Sequence, residues 1–360
     1  MNLRIPGPTP LPLEILKVMG NQMINHRGPK YEAMQKEVVK KLQKVFQTEN
    51  DVFLFTSSGT GGVEASITNT LSPGDKVLAI AAGVFGDRFA ACAKAFGAEV
   101  VKLDFPWGQA ADPDLIRKKL EANPDTKAVL VVFNETSTGV TNDMKAIAEV
   151  VHESSDALIL VDAISGLGAI DLRTDEWGFD VVVTGSQKAW MCPPGLAMVS
   201  VSEKAWKAHA TAKMPRFYWD FTAMKEFAEK GQTPFTPAIT TIFALDKALD
   251  MILDEGIENV FARHRRVGEH TRSGVKELGL ELFADESCAS NTVTAVKVPS
   301  DIQADELLRI MREDHEVLIA GGMGRLKGKI VRIGHLGYVF EEDIDEVLEA
   351  MEASLNELRR

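Results

Sequence analysis

A lysine stands just beyond a β-branched run in VVVTGSQKAWMCPPG, Val181–Gly195. Lysine is seldom buried without a partner. One held at the tip of a buried strand loses hydration, which lowers its pKa toward that of an amine able to form an imine. An exposed lysine at a strand end is the ordinary alternative for Lys188. Asp162 closes a second apolar run, ALILVD. A carboxylate there stays ionised only beside a cation or several donors, unless it is simply a turn residue. TSSGTGG at 56–62 follows a third run and precedes a helical pattern. Its small residues let backbone N–H groups approach an anion at a helix N-terminus. It is not a Walker A loop, because no GK[ST] follows, and Glu64 stands where the last glycine of GxGxxG would be. Alone it reads equally as a glycine-rich turn. NETSTGV at 134–140 offers Asn134, Thr136, Ser137 and Thr138 to a ligand, or with Asn142 it only caps a helix.

A sheet must position these residues. VFLFT (52–56), KVLAIAA (76–82), EVVKL (99–103), AVLVVF (128–133), ALILVD (157–162), DVVVTG (180–185) and LAMVSV (196–201) are apolar on both faces. Strands sandwiched between helices read this way. Helical patterns follow the first four: GGVEASITNTL, GDRFAACAKAFG, DPDLIRKKLEAN and NDMKAIAEVVHESS. The alternation predicts an α/β fold with a mostly parallel sheet covered by helices. Ligands collect at the carboxyl ends of such strands.

From about Phe221 the pattern changes. Residues 240–279 read as long amphipathic helix with a break near Gly256. LELFAD, TVTAVKVP, VLIAGG and KIVRIGHL then alternate with helical DIQADELLRIMREDH and DIDEVLEAMEASLNELRR. The expected division is an N-terminal arm over 1–20, a large domain over 21–255 and a smaller C-terminal α+β domain over 256–360.

A phosphate cradle, a carboxylate and a lysine thus fall at one edge of one sheet. Pyridoxal phosphate needs all three: an anchor for its phosphate, an acidic partner for its pyridine nitrogen and a lysine for its aldehyde. Lys188 is expected to hold that cofactor as a Schiff base and to shuttle protons.

The chain resembles the class V aminotransferases of fold type I, most closely the alanine–glyoxylate and serine–glyoxylate or serine–pyruvate group. PGPTPLP (6–12), INHRGPKYE (24–32), SSGTGGVEASITN (57–69), ETSTGV (135–140), VDAISGLG (161–168), GSQKAWMCPPG (185–195), FTPA (235–238) and KIVRIGHLG (329–337) carry the resemblance nearly end to end. It implies that Lys188 is the Schiff-base lysine and acid/base, and that Asp162 pairs with the pyridine nitrogen. Ser58, Gly59 and Thr60, helped by Gln187, would hold the phosphate. Phe85 would stack on the ring, where relatives often have tryptophan. Thr136 would contact cofactor or substrate. Arg332 would grip the substrate α-carboxylate through two parallel hydrogen bonds, with Gly7 lining the same pocket. Thr236 would reach the phosphate of a neighbouring subunit's cofactor, implying a homodimer with shared active sites. Relatives often carry tyrosine three residues before it; this chain has Thr233, which puts a phosphate contact there in doubt. The implied reaction moves an amino group from a small amino acid, alanine or serine, to glyoxylate or pyruvate by a ping-pong mechanism.

Other features bound the alternatives. A net charge of −12 over 360 residues argues against nucleic acid as a partner. Cys92, Cys192 and Cys288 are scattered, so neither a disulfide framework nor a metal site is expected. No signal peptide or membrane-length run is visible, and a cytoplasmic protein is expected. Trp190, Met191 and Cys192 should pack beneath the lysine. GGMGRLKGK (321–329) reads as a turn before the strand of Arg332, and RHRR (263–266) as a solvated helix face. His26 and Arg27 face a substrate entrance or serve a structural bond. Two rival functions remain: a pyridoxal-dependent lyase or desulfurase, for which Cys288 is the one candidate nucleophile in the small domain, and a non-catalytic subunit that keeps the fold.

Overall fold

Seven apolar runs build the central sheet of the computed structural model, which describes residues 1–359. They are β1 (Asp51–Ser57), β2 (Lys76–Ala81), β3 (Glu99–Asp104), β4 (Ala128–Val132), β5 (Leu158–Asp162), β6 (Val181–Gly185) and β7 (Gly195–Val201). Their spatial order is β1–β7–β6–β5–β4–β2–β3. The neighbours from β6 to β3 are parallel, whereas β7 runs antiparallel to both β1 and β6. Every residue of β4, β5 and β6 is buried, because helices cover both faces. β3 is one of the two outer strands and is only partly buried. Its Lys102 pairs with Asp87 and Asp104, charges that blunt an open edge.

Two apolar layers sandwich this sheet. Helices Gly59–Thr70 and Val84–Ala95 close one face through Val63, Ile67, Phe89 and Ala93. Helices Pro29–Phe46, Met144–Ser154 and Ile239–Glu255 close the other through Leu42, Ile147 and Leu245. Each fully buried side chain of this size contributes about 1.5–3 kcal/mol. The predicted helix break falls at Gly256, whose φ of +84° suits glycine. The next helix, Ile257–Glu277, packs with β8 (Val293–Lys297), β9 (Ala320–Gly321) and β10 (Ile330–Gly334), an antiparallel sheet of order β8–β10–β9. Helices Ala304–Glu313 and Glu341–Leu358 complete a third core.

The first residues tie the two sheets together. Asn2–Leu3 pairs in parallel with Val317–Leu318, beside the small sheet. The chain then crosses to the large sheet, where Thr9 N–H donates to the Gln187 carbonyl at 3.2 Å and Thr9 Oγ1 to the Lys188 carbonyl at 3.1 Å.

Three sequence expectations change. LELFAD makes only an isolated bridge, Leu282 to Val296, instead of a strand. RHRR is only half solvated. Arg263 is buried on Glu255, its Nε 2.8 Å from the carboxylate, and its Nη1 donates to the Gly337 and Val339 carbonyls. His264 donates Nδ1–H to Val260 O and accepts the Gly337 N–H at Nε2, so it is neutral, and burial pushes its pKa down to about 3. Asn142 caps no helix. It bridges the Ala111 N–H and the Val132 carbonyl, and Asp143 supplies the cap. No helix among the described residues is long and apolar enough to cross a membrane.

Candidate active site

A cavity opens at the carboxyl ends of β1, β5 and β6. Seven residues named from the sequence line it: Ser58, Gly59, Thr60, Phe85, Asp162, Gln187 and Lys188. Ser58 is the N-cap of the helix Gly59–Thr70 but makes no side-chain capping bond. The first-turn N–H groups of a 12-residue helix therefore lack a side-chain acceptor, and they carry the positive end of its dipole. A Cβ on Gly59 would lie 2.5 Å from the end of the Ile164 side chain, which would have to turn aside. Gln187 Oε1 is buried without a hydrogen-bond partner.

Asp162 ends β5, and its Oδ1 accepts the Ile164 N–H at 3.0 Å. Burial raises its pKa to about 6. The Ile164 bond opposes that shift, nearby Glu135 adds to it, and Lys188 and Arg88 moderate it. Lys188 follows β6, and its Nζ donates to the Pro6 carbonyl. Burial lowers its pKa to about 8; Arg332 lowers it further and Asp162 opposes. Gly7 lies against this lysine: a Cβ there would come within 2.8 Å of Lys188 Cδ and Nζ. Trp190, Met191 and Cys192 are buried behind it, with Trp190 Nε1 donating to Thr184 Oγ1.

Phe85 is set by its backbone. Its N–H and that of Gly86 donate to the buried Glu135 carboxylate at 3.1 Å, which fastens the start of helix Val84–Ala95 to the 134–141 loop. Arg88, one turn on, holds its guanidinium 4.8 Å from the centroid of the Phe85 ring. Arg332, in the middle of β10, is buried and donates to two backbone carbonyls, Gly321 at 2.9 Å from Nε and Thr136 at 3.2 Å from Nη1. Burial depresses its pKa, with Glu135 opposing.

Four candidates lie off this cavity wall: Gly7 and Arg332, described above, and Thr136 and Thr236. Thr136 is buried, and its hydroxyl donates to Ser165 Oγ at 3.1 Å. Thr236 is exposed and borders a separate depression with Thr233, Phe235 and Tyr218. Thr233 is buried and spends its hydroxyl on the Phe235 carbonyl. Arg27 donates to the Thr233 and Pro234 carbonyls of this segment. Sequence reasoning missed Arg88, Glu135, Pro6 and Thr9. For Arg88 a signal existed: it follows Phe85 by three residues and so shares its helix face.

The donor set fits pyridoxal phosphate. An uncapped helix start suits a phosphate, a buried carboxylate suits a ring nitrogen, and a lysine of lowered pKa suits an aldehyde. Sheet and site together define a fold type I pyridoxal-phosphate enzyme. The structure overlays an alanine–glyoxylate aminotransferase from Nostoc with a TM-score of 0.94 at 30% identity, covering 98% of this chain and 95% of that one. The family model "Aminotransferase class-V" matches residues 5–347, and the chain belongs to that family of transaminases, with pyridoxal 5′-phosphate as cofactor. It is 38% identical over 363 residues to an Arabidopsis thaliana protein named serine–glyoxylate aminotransferase, covering 99% of this chain and 90% of the relative. It is 44% identical over 358 residues to a Synechococcus protein named small subunit of a soluble hydrogenase, covering 99% and 93%.

Proposed function

We propose that this chain is a ping-pong transaminase that takes the amino group of a small amino acid, alanine or serine, and gives it to glyoxylate or pyruvate, working as a cytoplasmic homodimer. The observation that carries this reading is that Lys188 and Asp162 line one cavity with Ser58, Gly59 and Thr60 at a helix start. When bound, the cofactor supplies an aldehyde for the amino group and a ring that spreads negative charge. Ser58, Gly59, Thr60 and Gln187 hold its phosphate. Asp162 keeps its ring nitrogen protonated, and Phe85 packs on the ring. Lys188 Nζ would be the amine that holds the aldehyde. Arg332, whose present partners are only carbonyls, turns to a substrate carboxylate that accepts two parallel bonds. Once the substrate's amino group has displaced it, the freed Lys188 amine would take the α-proton and hold it for return. Thr236, exposed and outside its own subunit's cavity, serves the partner's phosphate site.

The small donor and the glyoxylate acceptor draw support from the names of the Arabidopsis and Nostoc proteins. Single-turnover spectroscopy tests the reading. Alanine or serine should convert the bound cofactor to its amine form, and glyoxylate or pyruvate should restore it. Lys188→Ala should lower turnover by about a thousandfold or more. A bound cofactor that no amino acid converts would sink the proposal.

The Synechococcus name favours a second reading, a subunit that serves another enzyme. Purification of this chain as an active transaminase without a partner would count against it. The desulfurase reading draws little support. Cys288 Sγ lies 3.5 Å from the Asp285 carbonyl, and burial raises its pKa, away from the reactive thiolate. Release of alanine from cysteine would revive it.

A further inference from the structure

Asn134 is 2% exposed, yet its side chain makes every bond an amide can make. Nδ2 donates to Ser165 Oγ at 2.9 Å and to Thr292 Oγ1 at 3.0 Å. Oδ1 accepts from Thr141 Oγ1 at 2.8 Å and from Ser290 Oγ at 2.6 Å. These partners belong to three pieces of chain. Ser165 lies in the loop that follows Asp162. Thr141 closes the short hairpin formed by Asn134–Glu135 and Val140–Thr141. Ser290 and Thr292 lead into β8.

One side of this junction, the loop after Asp162, lines the cavity, and the other carries Arg332. β8 pairs with β10 so that Ala295 faces Arg332, and the His335 N–H donates to the Thr292 carbonyl at 2.9 Å. Thr292 and Arg332 therefore ride on one unit. Across the junction, the Thr136 carbonyl accepts from Arg332, the Thr136 hydroxyl donates to Ser165 Oγ, and Ser165 Oγ donates to the Asn134 carbonyl. An apolar contact at this place would resist separation but would leave sliding nearly free. Four directed bonds to one buried amide fix register as well.

We propose that Asn134 is a positioning residue that sets where Arg332 stands relative to Asp162 and Lys188, and so where the substrate carboxylate is held. The inference rests on the reading of Arg332 as the carboxylate grip. A two-bond guanidinium–carboxylate pair tolerates little displacement, so loosening the junction weakens binding of the carboxylate. Holding the cofactor depends on other residues.

The test compares Asn134→Ala, Thr292→Val and Thr292→Ser with the unsubstituted holoenzyme. Four quantities are measured: KM for the amino donor, Kd for propionate by calorimetry, cofactor retained after gel filtration, and Tm. Asn134→Ala and Thr292→Val should raise both KM and the propionate Kd about tenfold. Thr292→Ser, which keeps the hydroxyl, should stay within about twofold of the unsubstituted protein, and retained cofactor should be the same in all. Native KM and propionate affinity with only a lowered Tm would overturn the proposal, as would loss of cofactor in the Asn134 variant. If Asn134→Ala does not fold, the Thr292 pair decides alone. Failure of the parent reading looks different: the unsubstituted protein moves no amino group and binds propionate no better than Arg332→Ala, and the inference then falls with it.

Discussion

TSSGTGG and NETSTGV are near twins in composition. Each follows a buried strand, and each is rich in serine, threonine and glycine. The structure treats them oppositely. Ser58 caps nothing with its side chain, and the helix behind it starts with its N–H groups lacking a side-chain acceptor at a cavity. In the second stretch the polar groups are spent internally. Asn134 makes four side-chain bonds, Glu135 takes the N–H groups of Phe85, Gly86 and Ser137, and the Ser137 hydroxyl donates to Glu135 at 2.5 Å. The first stretch keeps the Ser58 and Thr60 side chains free at the cavity and can bind. The second is satisfied and can only position. Buried polar groups pair wherever they can, so the buried second stretch is committed while Ser58 and Thr60, exposed at the cavity, stay open to a ligand.

That contrast has measurable edges. The largest effect should come from Glu135→Ala, which leaves three N–H donors without their carboxylate acceptor. Stability should fall by about 3 kcal/mol in denaturant titration, and Glu135→Gln should cost less. A loss under about 0.5 kcal/mol would erase the distinction between the two stretches. Ser58→Ala should do the reverse. Stability of the apoprotein should change by less than about 0.5 kcal/mol, while cofactor affinity drops about tenfold, one hydrogen bond to a charged group. A destabilised apoprotein with unchanged affinity would make Ser58 a structural residue.

The smallest effects are in pH. Lys188 is neutral above about pH 8 because burial and Arg332 lower its pKa. Cofactor uptake by apoprotein should therefore rise through about pH 8, well below an ordinary lysine near 10.4. Arg332→Gln removes a positive neighbour and should move that midpoint upward. Asp162 is shifted the other way but acts in the same direction: its pKa is raised to about 6, so its charge too is lost as pH falls through that value. Cofactor affinity should weaken below about pH 6. In Lys188→Ala, where the lysine no longer titrates, a flat affinity from pH 5 to 8 would detach Asp162 from the ring nitrogen.

Much of this site could be read before the structure. Apolar runs bounded by small polar residues marked the seven strands, and parallel sheets present their ligands at strand ends, so Ser58, Asp162 and Lys188 fell on one edge. The remainder depended on partners far away in the chain. Asn134 offered itself to a ligand because nothing nearby could satisfy it; its partners Ser290 and Thr292 lie 156 and 158 residues on. Arg263 read as solvated because its partner Glu255 sits across a helix break. Asn2–Leu3 is too short for periodicity to reveal its pairing with Val317–Leu318. Arg88 escaped because a lone arginine in a helix is ordinary, and only the ring of Phe85 beneath it gives it a place.

The central claim is that Lys188 carries the cofactor. Borohydride reduction of the purified holoenzyme, followed by proteolysis and mass spectrometry, tests it in one experiment. The account predicts a single pyridoxyl mass addition on the peptide bearing Lys188. An addition on another lysine, or a bound cofactor that reduction attaches to no lysine, would contradict it.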